Sequence, residues 1–201
     1  MELNYTIMIR AFTIFCKLNL IKLSAEQLFL QSMQKFSFQD LRCPHCGAKH
    51  PQWDYYASYE RCLISFEHNE SVCYVITITR LICPSCNHTH AILPDILIPH
   101  GSYSLLFILN LLRDYFTGSL TVQELCDRYQ ISVSTLYAWK RLFYIHKKLW
   151  LGVLDDSMTS ALDFLSEILS PNDSIRLDVF FLSNAFSFLQ GVSKTAHSGS
   201  T

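Results

Sequence analysis

Two cysteine pairs with the same two-residue gap, Cys43-Pro44-His45-Cys46 and Cys83-Pro84-Ser85-Cys86, constrain this chain more than any other feature. In a tight turn, Cys-x-x-Cys lets both thiolates face one point while backbone N–H groups aim at the sulfurs, which lowers their pKa and favours metal. Two such knuckles predict a tetrahedral zinc site formed by Cys43, Cys46, Cys83 and Cys86. Gly47 follows the first pair and Asn87 the second, and both residues tolerate the left-handed backbone a knuckle needs there. Four thiolates fill all four coordination positions, so the zinc is expected to be structural and not catalytic. His45, His50, His88 and His90 lie near enough in sequence to compete as ligands, and Cys86-x-His88-x-His90 remains the alternative arrangement.

The thirty-six residues between the knuckles read as strands of a zinc ribbon. Residues 72–82 (VCYVITITRLI) are rich in β-branched side chains and lead directly into the second knuckle. Residues 54–64 supply the antiparallel partner, with His68-Asn69-Glu70-Ser71 as the turn. A sheet this small has too little core to fold alone, and metal binding supplies folding free energy on the order of 10 kcal/mol. Neither cysteine pair opens a helix in a βαβ pattern, which argues against a redox dithiol. A disulfide framework requires a secreted chain, and residues 1–23 read poorly as a signal peptide. Glu2 stands where positive charge is wanted, Arg10 and Lys17 interrupt the apolar run, and no small-x-small site precedes Ser24. A cytoplasmic protein is therefore expected. Cys16, Cys62, Cys73 and Cys126 fall in apolar surroundings and are expected to act as small buried hydrophobes.

Beyond the ribbon, Pro94 and Pro99 punctuate an extended connection, and residues 102–116 form a helical apolar run that Ser102 or Ser104 can cap and Gly118 can end. Residues 121–143 (TVQELCDRYQISVSTLYAWKRLF) carry the spacing of a helix-turn-helix. Thr121 with Glu124 is a capping box, Leu125 and Tyr129 form an apolar face, and Cys126 is the small residue where two helices approach. Ser132 or Ser134 caps the second helix, and Leu136 and Trp139 turn back onto the first. Its outward face is left with Ser132, Val133, Ser134, Tyr137, Ala138 and Arg141. Gln130 stands in the turn where DNA-binding versions usually have glycine, and it carries strain if the backbone there needs positive φ. An ordinary helical hairpin in a bundle has the same spacing and stays open as the alternative.

A net charge of −1 speaks against nucleic acid as a partner, but the sum hides a separation. Residues 113–148 hold six basic and three acidic side chains, whereas residues 149–201 hold two and six. The helix-turn-helix is thus the basic part of the chain. Double-stranded DNA is the expected partner, with Lys140, Lys147 and Lys148 on phosphates and Ser134, Tyr137 and Arg141 nearest to bases. Ser132, Val133, Thr135 and Ala138 complete the candidate DNA-binding set.

The Cys-Pro-x-Cys-Gly knuckle, the strand leading into the second Cys-Pro-x-Cys, the phrase HTHAILPDILIP and the helix-turn-helix together resemble a family of uncharacterised bacterial proteins associated with mobile elements. The pattern is also similar to the N-terminal DNA-binding region of zinc-ribbon transposases, and it covers residues 41–143. The resemblance implies DNA binding at transposon ends or a role beside a transposase or other recombinase. Such transposases join DNA with an acidic triad on an RNase H-like domain holding two divalent metals. Only fifty-eight residues follow Phe143, and Leu151, Leu154, Met158, Leu162, Leu165 and Leu169 recur among them at helical spacing. That segment reads as packing or a dimer face with its acids on the solvated side. No nucleophile–base pair, phosphate loop or cofactor motif is visible, so no enzymatic activity is expected.

The expected fold is α+β, a small zinc ribbon followed by a mostly helical region with a helix-turn-helix. Residues 1–40 are expected to contribute a strand in 5–15 and a helix in 24–35 that pack on the ribbon (41–100). The helix-turn-helix region follows (101–150), and then a C-terminal helical segment with a disordered tail (151–201). The middle uncharged stretch is too short to cross a bilayer. The expected function is that of a non-catalytic, zinc-stabilised DNA-binding protein: a transposon-associated accessory factor or the DNA-recognition part of a split or truncated transposase. A transcription regulator, or an interaction module that recruits a recombinase, is the alternative, and a homodimer is compatible with either.

Overall fold

The computed structural model describes residues 9–11, 24–34, 36–37, 41–49, 53–94, 96–169, 180, 184 and 188–191. Cys16, His50, residues 192–201 and most of the expected first strand lie outside them. β1 (Ile9–Ala11) is followed by α1 (Ala25–Gln34), whose start is fixed by Ser24 and Gln27. The Gln27 N–H donates to the Ser24 hydroxyl at 3.1 Å and the Ser24 N–H to the Gln27 amide oxygen at 3.0 Å, a reciprocal cap.

β2 (Asp54–Glu67) and β3 (Glu70–Ile82) form a long antiparallel hairpin. His68 and Asn69 both take positive φ, 52° and 67°, which matches the twist of the flanking strands in a two-residue turn. Both strands therefore run closer to the turn than expected, and Glu70 and Ser71 are paired residues of β3 instead of turn residues. β4 (Thr89–Pro94) pairs antiparallel with β3, and β1 adds in parallel to β4, giving the order β1-β4-β3-β2. Alternation places Leu63, Ile76, Ile78, Ala91 and Leu93 on one face, where Leu28 and Phe29 of α1 cover them. On the other face Leu81 and Ile92 form a small apolar cluster with Phe36, beside Trp53.

α2 (Leu105–Thr117) is capped by Ser104, which accepts the Phe107 N–H, and ends at Gly118 in the left-handed conformation. α3 (Val122–Tyr129) begins with the Thr121–Glu124 capping box. α4 (Val133–Met158) begins at Ser132 and is broken at Gly152 (φ 80°, ψ 175°), and α5 (Ala161–Ile168) begins at Ser160. The break and the second cap divide the leucine stripe expected in 151–169. Leu165 and Leu169 are buried in the helical core, whereas Leu154 and Met158 are exposed. That core joins α2, α3, α4 and α5 around Phe107, Leu109, Leu111, Tyr129, Leu136 and Phe143.

Ribbon and helices meet at the tip of the hairpin. The Phe66 ring stacks on Tyr129 at 4.2 Å, the Ser71 hydroxyl donates to the Tyr129 carbonyl at 3.0 Å, and Arg128 donates to Asn69 at 2.8 Å.

Two cysteines depart from expectation. Cys62 and Cys73 lie on β2 and β3 two register steps from a direct pair, with Cα atoms 5.7 Å apart, and form a disulfide. Cys73 is exposed, so neither residue is the inert buried hydrophobe its apolar neighbours suggested; alternation turned it outward. Cys126 is buried between helices as expected. Among the described residues, no helix is long and apolar enough to cross a membrane.

Candidate functional site

The two knuckles fold by the same local rule. In the first, the Gly47 N–H donates to the Cys43 carbonyl and the Cys43 N–H to the Ala48 carbonyl, both at 2.8 Å. In the second, the Asn87 N–H donates to the Cys83 carbonyl at 2.8 Å and the Cys83 N–H to the His88 carbonyl at 2.9 Å. Gly47 (φ 73°) and Asn87 (φ 58°) occupy the left-handed position that closes each turn. β3 delivers Cys83 into the sheet end, and the hydrogen-bonded loop 42–49 brings Cys43 opposite it.

The four sulfurs converge. Cys43 and Cys86 are 3.7 Å apart, as are Cys46 and Cys83, and all four lie within 4.8 Å of one another. A tetrahedral ion bound at about 2.3 Å from each sulfur requires sulfur–sulfur edges of about 3.8 Å, so the cluster has the dimensions of a metal site. Burial pushes the Cys43 thiol up, against backbone N–H groups of Cys46 and His45 that pull it down. The Cys86 thiol is pushed up to about 12, again chiefly by burial. Thiols desolvated in this way keep their protons without a cation, and a divalent ion reverses that preference.

The histidines divide into two roles. His90 is fully buried, and its Nε2 lies 3.4 Å from Cys43 Sγ, within hydrogen-bond distance, the place from which a ring N–H would support a metal-bound thiolate. The Trp53 ring meets His90 edge-on at 5.6 Å. His45 and His88 stack at the rim with centroids 3.5 Å apart, and His88 Nδ1 is 3.0 Å from the Cys86 carbonyl. His45, Cys86 and His88 also form a group within metal-binding distance, but nearly parallel rings cannot both aim in-plane lone pairs at one ion. Sequence reasoning named His90 only as a rival ligand; its place one strand step from the knuckle was the available signal for a supporting donor.

The other candidate residues gather at the start of α4. Ser132, Val133, Ser134, Tyr137, Ala138 and Arg141 are all exposed, while Leu136 is fully buried against the helical core and Trp139 packs on Tyr103 and Phe107. Ser132 is spent on capping, accepting the Thr135 N–H at 3.1 Å. Gln130 does take the left-handed conformation, φ 53° and ψ 46°, in the turn before α4. The basic residues differ from expectation. Lys148 is exposed, but Lys140 is half-buried, donating to the Tyr115 hydroxyl at 2.7 Å with its ammonium over that ring. Lys147 is buried and donates to the Asp156 carboxylate at 2.7 Å and to its carbonyl at 3.0 Å. It is not available to a phosphate: helical periodicity turns it inward, where the segment after Gly152 folds back to meet it.

Fold and cluster together define an α+β protein whose small sheet carries four cysteines as a possible metal site. Residues 43–139 match the family described as a domain of unknown function (DUF6431), from the first cysteine of the cluster to Trp139 of α4. No curated protein and no solved structure matches the chain, so no named homologue links it to transposases.

Proposed function

We propose that this protein is a non-catalytic reader of double-stranded DNA, stabilised by a structural zinc ion on Cys43, Cys46, Cys83 and Cys86. The observation that carries the reading is the pair α3 and α4. A capping-box helix, a left-handed Gln130 and a serine-capped second helix leave Ser134, Tyr137 and Arg141 in the open while Leu125, Cys126, Tyr129 and Leu136 are buried beneath them. An exposed helix N-terminus with a short polar and basic face suits the major groove, and the α4 backbone N–H groups there favour a phosphate. Arg141 and Lys148 are the exposed cations of this face, so affinity depends on few phosphate contacts and falls moderately with salt. The biological setting that fits is accessory work beside a transposase or recombinase, or regulation of transcription.

A second reading, a protein-binding module, draws on the far half of α4. Tyr144, Ile145 and Leu149 before the Gly152 break and Val153, Leu154 and Met158 after it are all exposed, apolar side chains suited to contact with a second copy or a recombinase.

Selection from a random duplex library with the zinc-loaded protein at two salt concentrations separates the two. A defined motif that is lost in Arg141→Ala, with zinc content unchanged, supports DNA reading. A random pool whose weak binding disappears with salt overturns it and leaves the interaction module.

A further inference from the structure

We propose that the cavity between β2, β3, β4 and the 98–102 turn is a binding site for a phosphate monoester, held by the guanidinium groups of Arg61 and Arg80. It does not rest on the DNA reading, because none of its residues belongs to α3 or α4.

Strand register builds the cavity. Tyr59 and Arg61 are two residues apart on β2, and Arg80 pairs with Ala57 on one side and Ala91 on the other, so all three share one sheet face with Leu93. Ala91 and Leu93 are buried and make an apolar floor. The turn carrying His100 and Ser102 forms the opposite wall of an open cleft of about 400 Å³, in the range of small-molecule sites.

The wall chemistry is one-sided. Among the described lining residues, two guanidiniums, an imidazole and a phenol face the space, and none carries a carboxylate. Among the described residues neither arginine forms a salt bridge. The Arg61 Nη2 donates to the Ile98 carbonyl at 3.3 Å, and burial depresses the pKa of its guanidinium. The Arg80 Nη2 donates to the Thr89 hydroxyl, its Nε is buried without a hydrogen-bond partner, and its head group lies 5.4 Å from the Tyr56 ring centroid. Partly desolvated cations without a counter-charge are costly, and a planar guanidinium fork matches phosphate oxygens in pairs. A dianionic phosphate supplies charge for both, and the apolar floor with the Tyr59 ring at the mouth accommodates the ester's organic part.

The test is calorimetric titration of the metal-loaded full chain with inorganic phosphate and with a nucleoside 5′-monophosphate. Saturable binding of both, tighter for the monophosphate and weakened at least tenfold by Arg80→Gln and by Arg61→Met, is expected. Ser102→Glu adds a carboxylate at the exposed rim without touching a buried group, and the same weakening is expected from it if an arginine variant fails to fold. Arg113→Gln removes an exposed cation elsewhere and leaves binding unchanged. Competition by a 5′-phosphorylated oligonucleotide, but not by its 5′-hydroxyl counterpart, assigns the ester to a nucleic-acid end. No competition by either assigns it to a free metabolite, and both outcomes uphold the site. The proposal is overturned by absent saturation in the wild type, by binding that survives Ser102→Glu together with the folded arginine variants, or by equal weakening in Arg113→Gln.

Discussion

The two ends of the molecule are held together by different physics. At the cysteine end, the sheet face beside the knuckles buries Phe36, Leu81 and Ile92, too little apolar surface to fix two turns forty residues apart. At the helical end, nineteen described residues form one buried cluster around Phe107, Leu136 and Phe143, and no coordinating group is needed. A small sheet gains its order from ligand convergence, whereas helices gain theirs from area. The two ends should therefore fail under different insults.

Metal removal is the strongest way to break that comparison. Chelation, or Cys83→Ser, is expected to cost on the order of 10 kcal/mol at the knuckles. Amide exchange should then become fast across 42–49 and 83–90 while the amides of Leu109 and Phe143 stay protected; simultaneous loss of both would show a single cooperative unit. Truncation of the other core is next. Phe143→Ala, fully buried against Phe116, Phe164 and Phe188, should cost about 3–5 kcal/mol in denaturant melts with metal stoichiometry unchanged.

Acid sharpens the contrast from the helical side. Burial lowers the pKa of His146 to about 4, and its Nδ1 accepts the Leu189 N–H at 2.7 Å, a bond only the unprotonated nitrogen can make. Because the unfolded chain titrates near 6.5, this group costs nothing above that pH. As pH falls from 6.5 to 4 the unfolded state binds the proton first, and about 3 kcal/mol of stability is lost. A stability series over that range should lose the slope in His146→Gln. The smallest effect concerns the turn: Gln130→Gly relieves a left-handed glutamine and should stabilise by about 0.5–1 kcal/mol, read as a raised midpoint at unchanged metal content.

Much of this was readable in the chain. The two Cys-x-x-Cys turns with Gly47 and Asn87, the Thr121–Glu124 box and the Ser104 cap depend on neighbours within four residues, and local chemistry settles such features. The β-branched richness of 72–82 and its lead into the second knuckle located β3 and its partner β2, but their ends depended on the His68–Asn69 turn, whose positive φ values composition alone does not specify. Lys147 and Lys148 are adjacent cations in sequence and opposite in fate, one buried on Asp156 and one in solvent. Arg61 and Arg80 drew no notice, although alternation already placed both on the face that β3 and β4 bury.

By itself the sequence determined which residues turn, cap and converge, because a knuckle, a capping box and an amphipathic stripe are each written in a short window. Only the tertiary structure decided which partners lie far along the chain: His90 behind Cys43, Tyr129 under Phe66, Leu189 on His146, and two arginines around one cavity. Those meetings depend on strand register and helix packing, where one residue of slip turns a side chain from the interior to the solvent.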